Sequence, residues 1–145
     1  MKRHPSLIQL SKEHHDGLIL AQVIKKNAPV YIGMPSNLDA KKEYTLNFYK
    51  TELKKHFDIE ERFLIPAIKD YNSEIDLLCD QVLTEHNDLH LLIEKLKTED
   101  DHEKVLNQLG LLLEKHIRME ERELFEKIQN HFDEEFLSKL ENKLR

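Results

Sequence analysis

The sequence predicts an all-α protein, folded as an antiparallel up-down four-helix bundle with a short additional C-terminal helix. Three observations carry that expectation. Charged residues make up 34% of the chain and hydrophobic ones 39%, with only 3 Gly and 4 Pro, a balance suited to long amphipathic helices rather than strands and tight turns. Four stretches place apolar residues at steps of three and four, the spacing that draws one stripe on a helix. Each stripe is interrupted near its middle by histidine, and in two of them by glutamate as well.

The first stripe runs from about Ser6 to Asn27 through Leu7, Leu10, His14, Leu18, Ala21 and Ile24. Residues 28–37 then hold Pro29, Gly33 and Pro35, which makes a continuous helix there improbable and marks the longest connection. A second helix is predicted over roughly Leu38 to Tyr71, with Leu46, Tyr49, Leu53, His56, Glu60, Phe63 and Ala67 on its stripe and Pro66 ending or kinking it. Asn72-Ser73 offers an N-cap to a third helix carrying Ile75, Cys79, Val82, His86, His90 and Ile93. Thr98 to Asp101 introduces a fourth, with Val105, Leu109, Leu112, His116, Glu120 and Leu124, and its acids suit the positive end of a helix. A last amphipathic piece, about Asp133 to Leu144, would pack across one end of the bundle through Phe136, Leu137, Leu140 and Leu144.

At 145 residues the chain reads as a single domain, residues 1–145, able to bury one core. A formal net charge of -6 with no basic cluster argues against nucleic acid as a partner. No apolar run approaches membrane-spanning length, the N-terminus lacks a secretory apolar stretch, and the lone Cys79 can form no internal disulfide, so a soluble cytoplasmic protein is expected.

The two halves repeat. His56-x-x-x-Glu60-Glu61-Arg62-x-Leu64 aligns without gaps on His116-x-x-x-Glu120-Glu121-Arg122-x-Leu124, and Glu13-His14-His15-Asp16 parallels Glu85-His86-Asn87-Asp88. The chain is therefore helix pair followed by helix pair, a pseudo-twofold bundle in which the interrupted stripes meet at one level. The repeat also sets His14, rather than His15, opposite His86; His15 lies about 100° further round its helix.

Residues four apart on a helix point the same way, so each His-x-x-x-Glu and the His86/His90 pair present two groups to one point inside the bundle. Burying Glu60 and Glu120 among imidazoles, with no inward Lys or Arg, costs several kcal/mol unless a cation compensates. The nitrogen and oxygen donors disfavour a thiolate zinc site as well as calcium or magnesium, and leave iron, manganese or a nonstructural zinc. Seven candidate ligands, His14, His56, Glu60, His86, His90, His116 and Glu120, exceed what one ion with an open position needs; two ions bridged by the carboxylates would use them all. For any one of these histidines, packing alone would be a sufficient account, but not for the seven together. His4, His102 and His131 lie outside the stripes, and Glu61, Arg62, Glu121 and Arg122 are expected in edge ion pairs or in support of the ligands.

In this pattern the chain resembles the hemerythrin-like, or HHE cation-binding, proteins over roughly Ser6 to Ile128. Their order is a His on the first helix, His-x-x-x-Glu on the second, His-x-x-x-His on the third, and a His followed by a carboxylate on the fourth. The resemblance implies a non-haem di-iron centre, two iron ions with an oxo or hydroxo bridge. His86, His90 and His116 would hold one iron, His14 and His56 the other, and Glu60 and Glu120 would bridge them. The iron with two histidines is then the one open to O2, NO or another small diatomic ligand, for carriage, storage or sensing. The position equivalent to His90 in the first half is Leu18, which agrees with that asymmetry. The carboxylate of the fourth helix departs from the invertebrate oxygen carriers, which have an Asp five positions after the last His; here Glu120 is four positions on and Glu121 five, which keeps the metal site but weakens the case for reversible oxygen carriage. An enzyme or iron donor in oxidative or nitrosative stress, reducing peroxide or NO or repairing iron-sulfur clusters, is the alternative; with no substrate pocket legible in the chain, it ranks second. The Glu-x-x-His spacing of ferritin-like proteins is not what these helices show.

Overall fold

The computed structural model describes residues 2–145, and the expected bundle is what it shows: helices, no strands among the described residues, and an extra C-terminal helix. Helix α1 is Pro5–Ile24, with Pro5 at its first turn and the His4 ring accepting the Ser6 N–H as N-cap. Helix α2 covers residues 38–68 and is capped by Asn37, which accepts the Ala40 N–H at 2.8 Å. Helix α3 is Ser73–Thr98, started by Asn72, whose side chain accepts from Glu74 and Ile75. Helix α4 covers residues 102–131 behind an Asp101 cap, and α5 is Glu134–Leu144 behind Asp133. Every helix start thus carries a side chain that satisfies an otherwise orphaned backbone donor.

Helices α2 and α4 are not uniformly α-helical. The segments Tyr49–Leu53 and Glu60–Leu64 in α2, and Glu120–Leu124 in α4, are π-helical. In the latter two the N–H of Ile65 reaches back to the Glu60 carbonyl, and that of Phe125 to Glu120, one residue further than in an α-helix. The wider turn changes which residues face inward. Phe63, expected on the inner stripe, is exposed and Ala67 only half-buried, while Leu64 and Ile68 are fully buried. Pro66 therefore does not end α2; it sits at the start of the final turn Ile65–Ile68, just after the wide segment, where a missing N–H is tolerated.

The core divides in two. One apolar cluster gathers Leu7, Leu10, Leu64, Ile68, Ile75, Phe125 and Ile128, and α5 adds Leu137 and Leu140 to it, closing that end of the bundle as expected. The other gathers Leu20, Ile24, Leu53, Phe57, Leu89, Ile93, Leu106 and Leu109. Between them in each helix lie the buried polar residues His14, His56, Glu60, His86, His116 and Glu120.

Helices α1 and α4 pack tightly at Gly110, where a Cβ would stand 2.9 Å from the Ala21 carbonyl oxygen and 2.8 Å from Lys25 Cγ. The backbone oxygen cannot move aside without shifting a helix. Gly110→Ala is expected to cost about 1–3 kcal/mol, read as a lower urea midpoint.

Candidate metal centre

Each of the four helices delivers one histidine to the middle layer. His14, His56, His86 and His116 are all at most 4% exposed, and Glu60 and Glu120 are fully buried. Their donor atoms form two groups that share both carboxylates: His14, His56, Glu60 and Glu120, and His86, His116, Glu60 and Glu120. Six of the seven residues singled out by spacing are thus brought together.

His90 stands apart. It is exposed, and its Nδ1 meets the Tyr49 hydroxyl at 2.5 Å. The reason lies in the register of α3, where the inward positions Ile75, Cys79, Val82, His86, Leu89, Ile93 and Leu96 alternate in steps of four and three. After His86 the inward step is three, so Leu89 takes the core position and His90 falls on the flank. With His90 outside, the two groups each hold two histidines, and the asymmetry expected between them is not present in the geometry. His15, the neighbour of His14, is exposed.

The supporting residues repeat as the ligands do. His14 Nδ1 contacts Glu121 at 2.6 Å, His56 Nδ1 contacts Glu13 at 2.7 Å, His86 Nδ1 contacts Glu61 at 2.9 Å, and His116 Nδ1 contacts Glu85 at 2.8 Å. A carboxylate can only accept, so each Nδ1 carries a proton, and in the neutral ring each Nε2 turns toward the interior as a lone pair. Arg3 and Ser11 in turn hold Glu121. Glu61 and Glu121 were anticipated in such a role; Glu13 and Glu85 were not, although the aligned Glu13-His14 and Glu85-His86 carried the signal. Replacing the most buried of the four, Glu85→Gln, is expected to weaken metal affinity about 10–100-fold while leaving the far-ultraviolet spectrum intact, read by chelator competition.

With neutral rings, the interior contacts would set acceptor against acceptor. His14 Nε2 faces His56 Nε2 at 3.1 Å, and Glu60 Oε1 lies 3.1 Å from His86 Nε2 and 3.3 Å from His56 Nε2. His116 Nε2 is 2.6 Å from Glu120 Oε1 without forming a hydrogen bond, and His116 Nε2, Glu60 Oε2 and both Glu120 oxygens have no hydrogen-bond partner. Buried polar atoms are seldom left so. Without a metal, positive charge can come only from protons. Burial alone would lower the pKa of His56, but the Glu60 charge and hydrogen bonds with Glu13 and Glu60 outweigh it and raise it to about 10. His116 is likewise raised to about 10, against its burial, by Glu120 and Glu85. Burial works against both carboxylates: His56 nonetheless holds Glu60 well below its usual range, while the Glu60 charge adds to burial and pushes Glu120 up. A cage of this kind draws cations, and a divalent ion would displace those protons.

The donor set therefore fits a pair of metal ions: imidazole and carboxylate only, with Cys79 lying in the apolar cluster that holds Leu7 and Phe125. Comparison with known proteins points to cation binding. No curated protein and no solved structure matches the chain, but the family model described as the hemerythrin HHE cation-binding domain matches residues 7–128. With the four-helix frame and the shared carboxylates in place, that match covers most of the sequence, and the chain belongs to the hemerythrin HHE cation-binding domain family.

Proposed function

We propose that the middle layer is a non-haem di-iron centre that takes up O2, NO or a similar diatomic molecule. The observation that carries this is the convergence of four buried imidazoles and two fully buried carboxylates, with His116 Nε2, Glu60 Oε2 and both Glu120 oxygens left without a hydrogen-bond partner. His14 and His56 would hold one ion, His86 and His116 the other, with Glu60 and Glu120 shared between them. Such a pair of ferrous ions supplies electrons and leaves coordination positions that the protein does not fill.

The chain's own residues do the rest. Glu13, Glu61, Glu85 and Glu121 fix the tautomer and direction of each ring. Phe57 stacks on His86 at a centroid distance of 4.0 Å and Phe125 on His14 at 5.5 Å, which helps to hold those two rings in place. In this reading the protein is an oxygen or NO binder acting in carriage, storage or sensing. One observation favours a second reading, a reductive enzyme or an iron donor: with His90 on the flank, each ion would have two histidines, so two small molecules could be handled together.

Anaerobic titration with ferrous iron tests the assignment, and two ions per chain is the expected endpoint. Exposure of the reduced protein to O2 separates the functions. A visible band that appears with O2 and fades on its removal supports binding, whereas turnover of peroxide or NO supports the enzyme. A spectrum indifferent to both gases would sink the gas-binding proposal.

A further inference from the structure

The two approaches to the middle layer carry opposite charge. On the side of α3, an open cleft of about 640 Å3 reaches His86 between walls that hold Lys50, Lys54, Lys55 and Arg62 against Asp58 and Glu61, an excess of basic residues. Between α1 and α2 the lining is acidic. There a cavity of about 20 Å3, large enough for one water-sized particle, touches His14, His56 and His116 and also Asp16, Phe48 and Glu52. The same three residues, Asp16, Phe48 and Glu52, line a wider cleft of about 440 Å3 that opens to solvent. The outer cleft and the inner cavity therefore meet at these side chains.

Asp16 and Glu52 are exposed, and their side chains enter no hydrogen bond or ion pair among the described residues. Their charge is not consumed by a neighbour. The inner cavity is lined by His116, a residue only 1% exposed whose Nε2 has no hydrogen-bond partner. A free acidic mouth thus leads through one aromatic ring to unsatisfied donor atoms. The basic cleft on the opposite side would repel a cation by the same Coulombic rule.

We propose that metal ions load into the centre between α1 and α2, drawn by Asp16 and Glu52 and passing Phe48. This rests on the two-metal reading above and adds a route to it. The acids act on the rate of entry; the ligands set the final affinity.

The test is stopped-flow uptake of Co2+ by the chelator-treated chain, followed by the visible absorption that cobalt gains on coordination. The D16N/E52Q variant is expected to load about tenfold more slowly than the unaltered chain, with the same final stoichiometry. Added salt should slow the unaltered chain toward the variant. E99Q/D100N, which removes the same two charges at the turn between α3 and α4, should load at the unaltered rate. Equal rates for the unaltered chain and D16N/E52Q, or equal slowing by E99Q/D100N, overturn the route while leaving the centre standing. An unaltered chain that takes up no Co2+ overturns the two-metal reading, and the route with it.

Discussion

Glu120→Ala is expected to abolish the two-metal centre and to uncouple stability from metal. Glu120 is fully buried and belongs to both groups of donor atoms, so its loss affects both ions at once. In the unaltered protein, ion binding to the folded state adds RT ln(1 + [L]/Kd), about 2.7 kcal/mol at a hundredfold excess over Kd. Chelation should therefore lower the urea midpoint of the unaltered chain and leave that of the variant unmoved. The metal-free variant should lose little, because it is relieved of a carboxylate whose pKa burial and Glu60 push up. Elemental analysis supplies the second readout: two ions per chain before the substitution, at most one after. A variant that retains two ions, or remains as chelator-sensitive as its parent, would refute the sharing of Glu120.

Phe125→Ala is expected to cost the most in stability, about 3–5 kcal/mol. Phe125 is the largest of the fully buried side chains, follows the π-helical segment of α4, and packs in the cluster closed by α5. Its ring also stacks on His14 at 5.5 Å and receives the Arg3 guanidinium 5.4 Å from its centre. A cavity there removes apolar contact and frees the His14 ring, so metal affinity should fall along with the urea midpoint. A change below about 1 kcal/mol would mean that the end of the bundle collapses to fill the space.

Much of this was legible in the chain because the physics is local. Four-residue spacing sets His56 above Glu60 and His116 above Glu120 whatever the rest of the fold does, and the repeat distinguishes His14 from His15. The π-helical turns were not legible. Phe63 and Leu64 are both apolar, and nothing in their spacing says that the turn at Glu60 takes an extra residue. The flank position of His90 escaped for a related reason: four residues after His86 is a shared face over one turn, but over several turns the alternation of three and four brings Leu89 to the core instead. Glu13 and Glu85 escaped because one helix presents a carboxylate to a histidine of another, a relation that only tertiary packing creates.

The carboxylates that orient the histidines have a topology of their own. His56 is held by Glu13 and His116 by Glu85, each within its own half of the chain. His14 is held by Glu121 and His86 by Glu61, each from the other half. Either half in isolation would present one histidine aligned and one loose, and a single one of the two shared carboxylates. The duplication is therefore reciprocal rather than redundant: each hairpin completes the other, as the subunits of a symmetric dimer would, with the link between α2 and α3 making the partnership permanent.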